Sequence, residues 1–263
     1  MGIWIIGAST GIGLALAKAY AKQGRQVLIS ARSQEALESI AKTHENMTAL
    51  ALDMTQDSSV NKAMDFLEEN NVVLDKVIFN AGTCEYIDFY EVQCESIRRV
   101  METNFFGVIN VLHGLLPKLR AGQKQGVANP QLAFMSSSVT YQALPRAGAY
   151  GASKAALRYF VETLRADLSH EGFDVRIISP GFVKTPLTDV NDFPMPFLLD
   201  ADDAANRIIK GLASKTFDVH FPKRFTLVLK LIGLLPDWLR LPLIAKASRH
   251  DVKKIPHHKL QEP

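Results

Sequence analysis

The sequence has few cysteines, little excess charge and no long apolar run. Two cysteines in 263 residues, Cys84 and Cys94, cannot build a disulfide framework or a four-ligand zinc site. The net charge of +3 is too small to favour a nucleic acid as the partner. No stretch reaches the ~18 apolar residues of a membrane span, and no signal-peptide pattern follows Met1. We therefore expect a cytoplasmic protein without a metal site.

What the sequence does contain is a regular alternation of strand-like and helix-like segments. Apolar residues make up 47% of the chain, which is enough for a large core. Short apolar runs recur from Ile3 to the run 174–179, and amphipathic patterns separate them. This alternation predicts an α/β Rossmann fold, a doubly wound parallel sheet with helices on both faces. We expect one domain over 1–263, with its core in 1–186, a substrate lid in 187–215 and a C-terminal extension in 221–263.

A glycine-rich turn follows the first predicted strand and opens the first helix. Its glycines, in the spacing G-x-x-x-G-x-G, permit a tight turn and a close approach of backbone N–H groups to a phosphate. The helix N-terminus behind the turn favours an anion. We therefore predict a dinucleotide site with contacts from Gly7, Ser9, Thr10, Gly11, Ile12 and Gly13.

The end of the second predicted strand indicates which dinucleotide binds. An NAD site usually has a carboxylate there, which binds the ribose 2′-hydroxyl. This chain has no carboxylate in the segment 28–33 and has Arg32 instead. A guanidinium offers forked, charge-assisted donors that suit a 2′-phosphate. The segment favours NADP(H) over NAD(H); the alternative is that Arg32 is an ordinary surface residue.

Tyr150 and Lys154 are four residues apart in a segment with a helical pattern. Residues at this spacing lie on the same face of a helix. A free phenol has a pKa of ~10, and a nearby cation lowers that value by favouring the phenolate. The pair is therefore a candidate for proton exchange with a substrate oxygen.

Together these motifs resemble the short-chain dehydrogenase/reductase family over about Ile3 to Thr188. The motifs occur in the family's order: the glycine turn, Asp53, Asn80-Ala81-Gly82, Asn104, the serine run 136–138, Tyr150 with Lys154, and Pro180-Gly181 with Thr185. One departure is Ile6, where the family often has Thr; it leaves the turn intact. The resemblance implies a homodimer or homotetramer.

The resemblance also implies roles for individual residues. Tyr150 would be the general acid and base, and Lys154 would bind the nicotinamide ribose and lower the tyrosine pKa. Ser137, thirteen residues before the tyrosine, would hydrogen-bond the substrate oxygen, with Ser138 as the alternative. Asn104 would kink its helix and hold a water of the proton relay. The remaining cofactor contacts would come from Asp53, Met54, Asn80, Ala81, Gly82, Pro180, Gly181, Val183 and Thr185.

These features predict an NADP(H)-dependent oxidoreductase that acts on a carbonyl or a secondary alcohol. The segment 187–199 is rich in apolar residues and favours an apolar substrate; the alternative is that these residues pack against the core. Tyr86, Tyr141 and Leu144 are further candidates for the substrate pocket. The alternative function is a non-catalytic NADP(H)-binding sensor or scaffold on the same fold.

The segment 221–244 combines dense Leu and Ile with basic residues and Trp238. This composition suits a helix that lies on a membrane interface. The alternatives are a helix that packs over the substrate pocket and a helix in a subunit interface. We expect the basic residues of 248–263 to form a solvated tail.

Overall fold

A computed structural model describes residues 1–87, 92–189 and 191–246 of the chain. Within them, seven parallel strands form one sheet in the order β3-β2-β1-β4-β5-β6-β7. The strands are β1 Gly2–Ile6, β2 Gln26–Ala31, β3 Met47–Ala51, β4 Leu74–Phe79, β5 Gln131–Met135, β6 Asp174–Pro180 and β7 Asp218–Phe221. The predicted doubly wound α/β fold is confirmed.

Helices connect the strands and cover the sheet. Those of the described residues are α1 Gly11–Lys22, α2 Gln34–Ala41, α3 Asp57–Glu69, α4 Cys94–Met101, α5 Gly107–Lys124, α6 Gly148–Leu168, α7 Ala201–Leu212, α8 Lys223–Gly233 and α9 Asp237–Lys246. None of them is both long enough and apolar enough to cross a membrane.

The period-two geometry of the strands divides the core into two layers. In β1, Trp4 and Ile6 pack into the layer that holds α3, α5 and α6. Ile3 and Ile5 point to the opposite side, into the layer that holds α1, α2 and α7. Both layers are apolar, which is why the strands are continuous apolar runs without a polar face.

The sheet continues past residue 186, where the sequence analysis ended the core. Helix α7 packs beside α1, and β7 pairs with β6, so the segment 201–221 is part of the layered domain. Of the lid predicted over 187–215, only residues 187–200 precede α7. Residue 190 of that lid and residues 247–263 of the predicted extension lie outside the described residues.

The apolar pattern of residues 97–119 predicts a single long α-helix, but the structure places a π-helical turn within it. Helix α4 ends at Met101, the π-helical turn Glu102–Phe106 follows, and α5 begins at Gly107. The apolar pattern alone does not reveal this turn, because a π-helical turn inserts a residue without interrupting the helix. Such turns often occur at functional sites.

Candidate active site

A cleft of about 1010 Å³ lies where the carboxyl ends of the strands meet. Ligands of doubly wound sheets bind at this edge, beside the point where the strand order reverses. Here the reversal falls between β1 and β4, which are neighbours in the sheet. Of the residues predicted to bind the cofactor or to act in catalysis, all but Gly13, Asn104 and the alternative serine Ser138 line the cleft. Gly13 packs against Gly7, and Asn104 bonds to Thr83, both of which do line it.

The glycine turn has a conformation and a packing that larger residues do not tolerate. Gly7 has φ +89° and Gly11 has φ +56°, both in the left-handed region. A Cβ on Gly13 would lie 2.0 Å from the carbonyl oxygen of Gly7, and the amide of Asn80 donates to that same oxygen at 2.6 Å. The first turn of α1 therefore stands open toward the cleft. This cradle fits the phosphates of a dinucleotide.

The other end of the cleft is built by the loops after β2 and β3. Arg32 is exposed and Met54 is buried, and both line the cleft. The Asp53 carboxylate accepts from the backbone N–H of Thr55 at 3.0 Å and from its hydroxyl at 2.7 Å, so it holds its own loop in shape. No carboxylate stands at the end of β2, where an NAD site usually has one.

The Tyr150 phenol and the Ser137 hydroxyl lie together in the middle of the cleft. Helix α6 carries Tyr150, and Ser137 follows β5. Burial raises the pKa of Tyr150 to about 12, although a hydrogen bond from Ser137 opposes that rise. The Tyr–Lys spacing predicted a lowered pKa for Tyr150. In the protein alone the pKa is raised instead, because the desolvation of the phenol outweighs the effects that favour its anion.

Lys154 is 3% exposed and lies one turn further along α6. Its ammonium donates to the carbonyl oxygen of Met135 at 2.8 Å and lies 5.9 Å from the centre of the Tyr150 ring. Burial lowers the pKa of Lys154 to about 8. The ammonium is thus a costly charge that the fold holds beside the phenol and against the end of β5.

Asn104 sits in the π-helical turn and is fully buried. Its Oδ1 accepts from the backbone N–H of Thr83 at 2.8 Å. Its Nδ2 donates to the Thr83 carbonyl and to the Ser153 hydroxyl, both at 2.9 Å. The amide therefore joins the loop after β4 to α6, between the positions of Tyr150 and Lys154.

A smaller space of about 100 Å³ opens beside Tyr150 and Ser137. Apolar side chains dominate its wall, and both catalytic candidates face it as well as the large cleft. The residues that line it include Cys84, Tyr86, Ser138, Leu144, Phe182, Leu187, Asn191, Phe193 and Phe225. We call it the apolar pocket.

Several of these pocket residues were not expected from the sequence. Phe225 comes from α8, and its ring lies 5.4 Å from that of Phe182. Cys84 also lines the pocket, and burial raises the pKa of its thiol to about 11, which favours the neutral thiol over the nucleophilic thiolate at neutral pH. The sequence could have indicated Phe182 as a pocket residue, because it directly follows Pro180-Gly181. Phe225 is distant in sequence from the other motifs, and only the fold brings it to the pocket.

Other residues expected at the pocket lie elsewhere. The Tyr141 hydroxyl donates to Asp218 at 2.6 Å and so faces β7, whereas Tyr86 and Leu144 do line the pocket. In the predicted lid, Phe193 lines the pocket. Phe197, in contrast, is 52% exposed. Apolar composition does not distinguish a side chain that faces a ligand from one that faces solvent or the core.

Comparison with known proteins places these features in a family. The model of the short chain dehydrogenase family matches residues 2–193. An uncharacterized oxidoreductase from Myxococcus xanthus is 32% identical over 249 residues, which cover 93% of this chain and 95% of the relative. The 11-beta-hydroxysteroid dehydrogenase 1A of Arabidopsis thaliana is 28% identical over 259 residues, which cover 89% of this chain and 72% of the relative.

Solved structures share the fold. A short chain dehydrogenase from Burkholderia cenocepacia in complex with NADP has a TM-score of 0.78 at 22% identity, and the match covers 93% of this chain and 96% of that one. The 3-ketoacyl-(acyl-carrier-protein) reductase from Brucella melitensis complexed with NADH has a TM-score of 0.75 at 24% identity, with 83% and 93% covered.

The buried charge of Lys154 leads to a prediction about stability. At pH 7 the ammonium is charged in both the folded and the unfolded chain, and only the folded chain bears the cost of burying it. We expect Lys154→Met to raise the free energy of unfolding at pH 7 by about 2 kcal/mol, measured by urea denaturation. The exposed Lys210 provides the control, because Lys210→Met changes no buried charge.

The stability that Lys154→Met gains over wild type should shrink as the pH rises from about 8 towards about 10.5, the pKa of lysine in the unfolded chain. In that interval folded wild type loses the proton while the unfolded chain retains it, so wild-type stability rises with pH. A variant that is less stable than wild type at pH 7 would show that the bond to Met135 outweighs the cost of burial.

Proposed function

Because the chain belongs to the short-chain dehydrogenase family, we propose that it is an NADP(H)-dependent oxidoreductase for a carbonyl or a secondary alcohol of an apolar small molecule. One observation carries the proposal. Ser137 and Tyr150 lie at the junction of a large cleft that fits a dinucleotide and a small apolar pocket. A proton donor at that junction meets both a cofactor and a substrate.

The protein's own residues supply the acid–base chemistry. A nicotinamide bound in the cleft would supply or accept the hydride. Tyr150 keeps its proton at neutral pH, since its pKa is raised to about 12, and can donate it to the substrate oxygen as negative charge develops there. Ser137 donates a second hydrogen bond to that oxygen. In the reverse direction the phenol must first lose its proton, so alcohol oxidation should accelerate with rising pH.

The cofactor preference rests on the exposed guanidinium of Arg32. It follows β2 and lines the same cleft as Met54, where it can donate to a 2′-phosphate. The related structures include complexes with NADP and with NADH, so family membership does not determine which dinucleotide binds. The proposal of NADP(H) therefore rests on Arg32.

The apolar pocket indicates the substrate class. Its aromatic walls, among them Tyr86, Phe182, Phe193 and Phe225, suit a hydrocarbon ring or chain beside the reacting carbon. The Arabidopsis relative carries the name of a hydroxysteroid dehydrogenase, and a hydroxysteroid is an apolar secondary alcohol. We propose a substrate of this apolar class.

The role of Tyr150 can be tested by removing one oxygen atom. We expect Tyr150→Phe to lower kcat by about 10²–10⁴-fold for cyclic and aryl ketones with NADPH, while the Kd for NADPH stays within twofold. NADPH absorbance measures turnover, and quenching of protein fluorescence measures binding. Tyr159→Phe is the matched control, because Tyr159 lies on the same helix and is 77% exposed.

Turnover by Tyr150→Phe that approaches the wild-type rate would contradict the proposed role. If wild type binds NADPH tightly but consumes it with none of the ketones, aldehydes or quinones offered, the outcome supports the non-catalytic sensor instead.

The role of Arg32 predicts a change in cofactor choice. Loss of a charge-assisted hydrogen bond to a phosphate should raise the KM for NADPH by about 10–100-fold in Arg32→Ala and leave the KM for NADH unchanged. Arg207→Ala, on the exposed side of α7, is the control. A wild-type protein that prefers NADH would refute the assignment.

A further inference from the structure

Helices α8 and α9 carry an unusual concentration of exposed apolar side chains. Of the fifteen large apolar side chains that are exposed among the described residues, eight lie between positions 227 and 243. Six of them form what we call the outer surface: Leu227, Val228, Leu231, Leu234, Trp238 and Leu241. Leu234 and Trp238 are 81% and 77% exposed. Such a concentration of exposed apolar side chains normally marks an interaction site.

The opposite face of α8 is firmly attached to the domain. Lys230 lies 3.5 Å from the Asp218 carboxylate and 4.5 Å from the centre of the Tyr141 ring. The buried Thr226 hydroxyl lies 2.7 Å from His220 Nδ1. A Cβ on Gly233 would lie 2.4 Å from the Tyr141 carbonyl oxygen, so the helix and this loop are in close contact. These attachments fix which face of α8 points outward.

Helix α9 is less embedded than α8, since none of its ten residues is buried. An isolated helix of this length is marginal in water. Its apolar residues include Trp238, whose ring combines an apolar body with a polar N–H group. Side chains of this type are favoured at the boundary between lipid and water. The composition of α9 therefore fits an environment other than bulk water.

The charge distribution indicates the nature of the partner. Residues 221–263 contain nine Lys and Arg against three Asp and Glu, whereas residues 1–220 contain 21 against 24. The positive charge of the chain is thus concentrated in the segment that also carries the outer surface. Lys223 and Arg224 lie in the first turn of α8, where no acidic residue balances the positive end of the helix dipole. This end of the helix favours an external anion.

We infer that the outer surface of α8 and α9 docks on an anionic lipid surface. Apolar side chains flanked by Lys and Arg, with a tryptophan among them, bind at the boundary of an anionic bilayer. A second copy of the chain is the other conceivable partner for an apolar face. A symmetric pairing would bring two strongly positive segments together, which opposes that arrangement. The inference concerns binding only and does not depend on the proposed activity.

The two tryptophans provide a direct measurement in the full chain. Trp4 is fully buried and donates to the Ser30 hydroxyl at 2.8 Å, whereas Trp238 is 77% exposed. We expect Trp emission to shift to the blue, and the protein to float with the vesicles, when phosphatidylcholine vesicles with about 30% phosphatidylglycerol are added. Trp238→Phe should abolish the shift, because Trp4 does not respond.

Matched variants separate the two contributions. Leu231→Ser with Leu234→Ser should reduce flotation at least tenfold. Tyr159→Ser, which removes an aromatic ring that is 77% exposed on α6, should leave flotation unchanged. Lys223→Gln with Arg224→Gln should weaken binding to anionic vesicles by about 25-fold, because each basic residue near such a surface contributes about fivefold. Far-UV circular dichroism and thermal melting check that each variant is folded.

Two results would overturn the inference. One is the absence of both flotation and an emission shift at low salt with folded protein. The other is Trp238 emission that is already blue-shifted without vesicles, together with a dimer that dissociates in the Leu231→Ser, Leu234→Ser variant. That second result would assign the outer surface to a second copy of the chain.

Discussion

The buried amide of Asn104 is the interaction on which the candidate active site depends. Its three hydrogen bonds connect the π-helical turn, the loop after β4 and helix α6, and no part of the side chain is exposed. Ser153, one of its partners, lies between Tyr150 and Lys154 on α6. A buried amide with satisfied partners allows one arrangement of the segments that it joins. Loss of this arrangement would release helix α6, which carries the phenol, from the loop after β4 that lines the cleft.

The same region contains a buried charge, the Lys154 ammonium, that is unfavourable for folding. Tyr150 and Lys154 both have pKa values that burial shifts towards their neutral forms. Gly82 makes this crowding possible, since a Cβ there would lie 3.2 Å from the Lys154 ammonium and 3.1 Å from Asn104 Oδ1. A buried charge close to a phenol weakens the fold and is expected where function, and not stability, fixes the residues. The alternation of apolar residues across the sheet supplies the stability that such a site requires.

The sequence predicted the features that depend on local pattern. The alternation of segments identified the doubly wound sheet. The glycine turn, Arg32 and the Tyr–Lys spacing identified residues that the structure gathers along one cleft. The sheet prediction is confirmed, and these residues share one cleft because the ends of parallel strands meet at one edge whatever the details of packing. Their individual roles stay predictions.

Features that depend on distant segments were not predictable in the same way. The rise in the Tyr150 pKa reflects burial, which only the folded chain has. Tyr141 faces Asp218 because β7 joins the sheet, and Phe225 reaches the apolar pocket because α8 is attached beside it. The π-helical turn at Asn104 was expected from the family resemblance as a kink, but the apolar pattern predicted an unbroken helix.

The most direct test of the central claim is a crystal structure of the protein with NADP⁺. We predict that the diphosphate lies over the glycine turn, that Arg32 contacts the 2′-phosphate, and that the nicotinamide lies beside the Tyr150 hydroxyl at the mouth of the apolar pocket. A dinucleotide bound elsewhere, or a Tyr150 hydroxyl directed away from the nicotinamide, would contradict it.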